Sequence, residues 1–311
     1  MRYHDFVMDS SRWDGFAIRD GDIIISTPAK CGTTWTQRLC SLLLGVEPTP
    51  DRPLAAISPW LEMLVRPRES VVADLEAQQH RRFIKSHTPL DGLPWDDRIT
   101  YIAVARDPRD VALSWAHHFD NIDFDRFLTL RLEAVGADDL AEVMPDGPPP
   151  PPPSDPAERF WEWVDGAAMG GNLEKTLRHL QSFWDVRDRP NVHLFHYGDM
   201  QADLPANVRR LASALGVEVD ESEVARIAEA AAFGRMRADA STVAPNTDTA
   251  FWRDTTGFFH RGTSGQWRDL IDAEGLVGYD AAVAAFVPPD LAHWVHEGGI
   301  IPGRAKAAPA G

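Results

Sequence analysis

The chain reads as an α/β protein, a mostly parallel sheet with helices on both faces. Three observations lead there. Short apolar, β-rich runs at 22–26, 82–85, 99–105 and 191–196 alternate with helical patterns. The first run passes through a tight loop at 27–32 into a helical pattern that opens at Thr33 and Thr34. With 311 residues, 44% of them apolar, the chain can bury the core of one large α/β domain or of two small ones.

Taken in order, Ile23, Ile24 and Ile25 form the first strand, and residues 33–44 the first helix. A helical pattern at 70–80 precedes the strand at 82–85, whose exit is fixed by Pro89. The strand at 99–105 leads into a helix at 107–119. Further helices are expected at 172–186, 202–216 and 220–232, with the last strand at 191–196 between the first two. Six consecutive prolines, Pro148 to Pro153, cannot join a sheet, so 145–156 is expected to be an exposed polyproline insert. The tail at 303–311 is expected to be disordered. Ligands of such folds bind beyond the carboxyl ends of the strands, so segments far apart in sequence can converge there.

The loop at 27–32 is an anion site by geometry. Strand, tight loop and helix start aim several backbone N–H groups and a helix N-terminus at one point. Lys30 adds a point charge, and the hydroxyls of Thr33 and Thr34 add donors. A phosphate or sulfate is the expected ligand. No Gly-x-x-x-x-Gly-Lys-Ser/Thr is present, so this is not a Walker A loop. Trp35 follows where an adenine ring could stack.

Composition sharpens this reading. The chain has four lysines, Lys30, Lys85, Lys175 and Lys306, against 27 arginines. Two of the four lie in the segments with chemistry. A compact ammonium fits a crowded phosphate loop where a planar guanidinium would not. The net charge of −16 disfavours nucleic acid and anionic membrane surfaces as partners, so an anionic ligand must be held by a local positive pocket. Cys31 and Cys40 make neither a disulfide framework nor a zinc site and read as small buried residues. No metal site is expected. The polar N-terminus lacks the apolar region of a signal peptide, and no run approaches a membrane span, so a reducing, cytoplasmic location is expected.

Four segments carry a family resemblance. The loop Thr27-Pro28-Ala29-Lys30-Cys31-Gly32-Thr33-Thr34-Trp35 resembles the 5′-phosphosulfate loop of sulfotransferases that use PAPS, 3′-phosphoadenosine 5′-phosphosulfate. Phe83-Ile84-Lys85-Ser86-His87-Thr88-Pro89 is similar to the family's strand-end Lys-Thr/Ser-His-x-Pro motif. A strand followed by Arg106, with Ser114 eight residues on, is similar to its 3′-phosphate motif. Arg261-Gly262-Thr263-Ser264-Gly265-Gln266-Trp267-Arg268 resembles its C-terminal Arg-Lys-Gly-x-x-Gly-x-Trp-Lys signature. Within the family the resemblance is nearest to actinobacterial glycolipid sulfotransferases, on stretches such as Ser58-Pro59-Trp60-Leu61 and Gln79-His80-Arg81-Arg82-Phe83-Ile84-Lys85. It implies a sulfotransferase fold, a single domain over 1–311 interrupted by the proline-rich insert, and sulfuryl transfer from PAPS to an acceptor hydroxyl without a metal.

The resemblance also implies roles. His87 is the candidate general base, beside Lys85 on one face of a strand, with Ser86 pointing away. Lys30 would stabilise the leaving phosphate and Lys85 the transferring group. Cys31 belongs to the loop in which Gly32, Thr33 and Thr34 would cradle the 5′-phosphate. Thr33 could also serve as a simple helix N-cap. Arg106, Ser114, Arg261 and Gly262 would hold the 3′-phosphate. His260 stands where many members have Arg, which weakens one phosphate contact, and Arg261 where Lys is more usual. Trp35 and Phe233 would sandwich adenine, with Tyr197 and Met236 nearby. Trp60 and His118 lie towards the expected acceptor. The acceptor is expected to be a glycolipid, or else a small phenol, alcohol or steroid-like molecule. A P-loop kinase is disfavoured by the missing Walker A, and a non-catalytic nucleotide binder by Lys30, Lys85 and His87 standing together. The dimer motif of animal members is not preserved from Arg268 to Val277, so no oligomeric state is predicted.

Overall fold

The computed structural model describes residues 1–144, 147, 150–247, 249–299 and 301. Its centre is a four-stranded sheet in the order β2-β1-β3-β4, every pair parallel. The strands are β1 (Ile23–Ser26), β2 (Phe83–Ser86), β3 (Thr100–Ala105) and β4 (Val192–His196). Each lies within a residue or two of the run that predicts it. Ile25 pairs with Lys85 on one side and Ile102 on the other, so the ends of β1, β2 and β3 finish close together. The chain leaves β1 for β2 and then crosses back to β3, which puts a topological switch point beside β1.

Both faces of the sheet are buried, and the period of two decides which side chain goes where. Ile23, Ile25, Phe83, Ile102 and Val104 pack with Leu39, Cys40, Leu42 and Leu43 of helix Thr33–Leu43 and with Val208, Leu211 and Ile227. Ile24, Ile84, Tyr101, Ala103 and Ala105 pack on the other face with Leu177, Leu180, Phe183 and Trp184 of helix Leu173–Trp184. A smaller cluster of Met63, Val65, Phe127, Phe251 and Trp252 lies apart from the sheet. Among the described residues no helix is long and apolar enough to cross a membrane.

Helices Phe124–Val143, Pro156–Val164, Ala273–Ala284 and Pro289–Glu297 were not expected from the sequence pattern. The first breaks its own periodicity. Gly136 leaves helical geometry at φ 86° and ψ 176°, and Arg131 is wholly buried, donating to the Phe6 carbonyl at 2.9 Å and to Asp139. The described part of the proline-rich stretch stays out of the sheet, with Pro150, Pro151 and Pro152 exposed. The stretch ends where Asp155 caps helix Pro156–Val164 by accepting from the Ala157 N–H at 2.7 Å. Pro145, Asp146, Pro148, Pro149 and the 303–311 tail lie outside the described residues.

A buried ion pair clamps the opposite end of the sheet. Arg82, just before β2, donates through Nε to Asp22 Oδ1 at 2.8 Å and through Nη2 to Asp22 Oδ2. Asp22, just before β1, also accepts from the Arg19 N–H at 2.8 Å. Both side chains are almost fully buried. Asp22→Ala leaves a buried guanidinium unpaired. We expect a loss of about 3–5 kcal/mol of stability, read as a lower urea midpoint with an unchanged slope.

Candidate active site

The loop after β1 is built for an anion. Lys30 has a left-handed backbone, φ 68°, and Gly32 follows with φ 103°. Alternating handedness curls successive N–H groups towards one concavity. Gly32 is also the N-cap of helix Thr33–Leu43 and has no side chain to close it, so the first-turn N–H groups stay open. Glycine is needed there for a second reason. A Cβ on Gly32 would sit 3.0 Å from Tyr197 Cδ2. The sequence expectation for Thr33 is corrected. It is not the N-cap, and its hydroxyl lies 2.5 Å from the Thr27 hydroxyl, which faces the Pro28 carbonyl. Its side-chain donor is thus engaged within the loop. Cys31 is a small buried residue, as expected. Its side chain lies in the core, where burial pushes the thiol up to about 12, and does not line the cavity.

Strand β2 separates two functions by its pleat. Lys85 and His87 face the cavity, as expected. Ser86 and the following Thr88 face away and donate to Glu62 Oε1, Thr88 at 2.9 Å. Trp13 Nε1 donates to the same oxygen at 2.7 Å. Glu62 is fully buried, and burial raises its pKa against these bonds. Sequence reasoning passed over it. Its signal was a lone charge inside the apolar run Trp60-Leu61-Glu62-Met63-Leu64-Val65.

His87 Nδ1 lies 2.7 Å from the Thr27 carbonyl. A carbonyl only accepts, so Nδ1 carries the proton and Nε2 keeps its lone pair. Burial, with Lys85 adding repulsion, holds His87 well below the ordinary histidine value. The Trp60 ring meets His87 edge-on at 4.6 Å and carries the Lys85 ammonium at 4.4 Å from its centroid. Burial brings Lys85 down to about 8 against the opposing charge of Glu62. Burial brings Lys30 down to about 7, with Arg106 and then Lys85 adding to it.

Arg106, directly after β3, ties three segments together. Its guanidinium donates to the carbonyls of Lys30 and Thr263, each at 3.2 Å, and lies 4.6 Å from the Tyr197 ring centroid. Its Nε is buried without a partner, an orphan donor in the cavity wall that fits an anionic ligand. Helix Pro108–Asp120 then brings Ser114 to the cavity. Its first turn anchors the C-terminal segment. Asp110 accepts from the N–H groups of Gly265 and Gln266 at 2.8 and 3.1 Å, and Asp107 accepts from Trp267 Nε1 at 3.1 Å. Trp267 of the C-terminal signature is therefore structural, sandwiched under Arg109 at 3.7 Å. Gly262, at φ 64°, lets Phe233 close on the backbone, since a Cβ there would lie 2.3 Å from the ring. His260 stacks on His117 at 3.7 Å, and His117 Nε2 donates to the Gly257 carbonyl at 3.0 Å.

These residues share one cavity of about 490 Å³, within the range of small-molecule sites. Lys30, Gly32, Thr33, Thr34, Trp35, Trp60, Lys85, His87, Arg106, Ser114, His118, Tyr197, Phe233, Met236, His260, Arg261 and Gly262 all line it. Trp35 donates to the Ala231 carbonyl at 2.8 Å and meets Tyr197 edge-on at 5.2 Å, which leaves a flat aromatic surface with Phe233 and Met236 beside it. The sequence did not disclose the rest of the lining. Ile122, Phe127, Phe251, Trp252 and Phe258 give it an apolar wall. Only the aromatic density at 251–259 hinted at this.

Comparison with known proteins gives the family and the fold. The sulfotransferase domain family matches residues 20–284. A glycolipid sulfotransferase of Mycobacterium bovis is 43% identical over 308 residues, covering 95% of this chain and 94% of that protein. A glycolipid sulfotransferase of Mycobacterium tuberculosis is 42% identical over the same length and coverage. Among solved structures, retinol dehydratase in complex with androsterone and the inactive cofactor PAP superposes with a TM-score of 0.68 at 21% identity, covering 90% of this chain and 84% of that one. At that identity the likeness speaks for the fold alone.

Proposed function

We infer, for a chain that belongs to the sulfotransferase family, that it is a PAPS-dependent enzyme that sulfates a hydroxyl of a glycolipid. The observation that carries the mechanism is His87. With its Nδ1 proton given to the Thr27 carbonyl, its free Nε2 stands in the wall of a cavity that also holds Lys30 and Lys85.

PAPS, when bound, supplies an activated sulfuryl group on a phosphate leaving group. The open N-terminus of helix Thr33–Leu43, the curled 27–32 loop and Lys30 suit its 5′ end. Arg106, Ser114, Arg261 and Gly262 suit its 3′-phosphate, and Trp35, Phe233, Tyr197 and Met236 its base. His87 Nε2 takes the proton from the acceptor hydroxyl, and its depressed pKa keeps it in the basic form at neutral pH. Lys85 and Lys30 balance the negative charge that spreads over the transferring and leaving oxygens. The apolar wall of Phe127, Phe251, Trp252 and Phe258 suits an acceptor with a large apolar part. The mycobacterial relatives support a glycolipid in particular. Two unpaired, buried cysteines fit a reducing compartment, and we propose the cytoplasm.

The test is incubation with PAPS and either a mycobacterial lipid extract or a panel of phenols and simple alcohols, with products read by mass spectrometry. A sulfated glycolipid supports the acceptor, and sulfated phenols alone move it to the small-molecule class. His87→Ala is expected to lose roughly 10²–10⁴-fold in turnover while still binding PAP, the desulfated nucleotide. Full activity in that variant rules out His87 as the base.

The lysines make a pH prediction. In the free protein Lys30 and Lys85 titrate at about 7 and about 8. A bound polyanion favours their ammonium forms, so it raises both pKa values and takes up protons. PAP affinity is therefore expected to fall as pH rises through 7 to 8. Titration calorimetry at pH 8 in buffers of different ionisation enthalpy is expected to show net proton uptake that shrinks at lower pH. The same binding heat in every buffer excludes it.

A further inference from the structure

Lys30 leaves its loop from a left-handed backbone, and its flexible four-carbon stem needs something to hold the far end. The ammonium lies 4.6 Å from the centroid of the Phe258 ring. Among the described residues its hydrogen-bond partner is His118 Nδ1, at 3.3 Å. An ammonium can only donate, so Nδ1 is the lone-pair nitrogen and Nε2 carries the ring proton.

The position of His118 follows from its helix. Asp110, Ser114 and His118 are spaced four apart on Pro108–Asp120 and form one stripe along the cavity. The His118 ring is enclosed by Trp252 at 5.0 Å, Trp115 at 5.6 Å and Phe258 at 5.8 Å. Three aromatic neighbours restrict its rotation, so its lone pair has a fixed direction.

We propose that His118 is a positioning residue for Lys30. Its caged ring presents Nδ1 to the Lys30 ammonium and holds that charge in the reaction space. The inference rests on the reading of Lys30 as the cation of the leaving group. It gives His118 a task other than the acceptor contact expected from sequence. Arg106 after β3, Lys85 at the end of β2 and Cys31 in the loop bear on the charge of Lys30, the first two against it. Burial above all keeps His118 neutral, and Lys30, Lys85, His87 and the adjacent His117, which face it, add to the effect. The neutral lone pair and the face of Phe258 thus counter the surrounding cations.

The small number of lysines makes a direct test possible. Reductive methylation with ¹³C-formaldehyde labels only four side chains, and NMR then reads the titration midpoint of Lys30. His118→Phe keeps a ring and removes the acceptor, whereas His118→Asn returns an acceptor oxygen near the place of Nδ1. We expect His118→Phe to lose roughly ten- to a hundredfold in kcat with a much smaller change in the KM for PAPS, and to shift the Lys30 midpoint to lower pH. His118→Asn is expected to recover most of both. If His118→Phe does not fold, His118→Leu serves in its place. A folded Phe or Leu variant with native kcat and native Lys30 midpoint overturns the proposal. So does an Asn variant as impaired as the Phe variant, which would make His118 a packing residue. Lys30→Met, run in parallel, separates the two levels. If it retains full activity, the reading of Lys30 itself has failed.

Discussion

Parallel pairing of β1 between β2 and β3 is the constraint on which the site depends. Parallel strands end on the same side, so the residues just past their ends meet in space without any local sequence contact. Lys30 follows β1, Lys85 and His87 close β2, and Arg106 follows β3. The buried Arg82–Asp22 pair ties the starts of β1 and β2 together and so helps fix the register in which Ile25 lies opposite Lys85. A shift of one residue would exchange Lys85 and His87 for Ser86 and Thr88. Lysine and histidine would then face the core, and the hydroxyls would face the cavity.

Glu62 secures the same alternation from behind. It gathers Trp13, Ser86 and Thr88 on one oxygen, so the side of β2 that faces away from the cavity is held by directional bonds as well as by packing. Arg106 does comparable work on the other side of β1, joining the anion loop to the C-terminal segment through two carbonyls. The cavity wall is therefore assembled from distant segments by a few polar side chains, each with more than one partner.

The strands and the motif residues were legible in the sequence because their signals are local: an apolar run, a glycine in a tight loop, a lysine and a histidine two apart. The first helices were legible for the same reason. Helix Phe124–Val143 was not, because its buried face includes Arg131 and its course is broken at Gly136. The inward turn of the Cys31 side chain and the bond between the Thr33 and Thr27 hydroxyls were not legible, because side-chain direction inside a loop depends on backbone handedness, which no motif spells out. The apolar wall was hidden for a different reason. Phe127, Phe251, Trp252 and Phe258 come from segments with no shared pattern and meet only after folding.

That apolar wall also bears on what the enzyme refrains from doing. Water is the smallest hydroxyl-bearing acceptor, and a base beside an activated sulfuryl donor would serve water as readily as alcohol. Trp60 meets His87 edge-on, and Trp252 and Phe258 line the same cavity, so an acceptor with a large apolar part would fill space that water could otherwise enter. The surface that receives the acceptor's apolar part would then also shut water out of the reaction space as the acceptor binds.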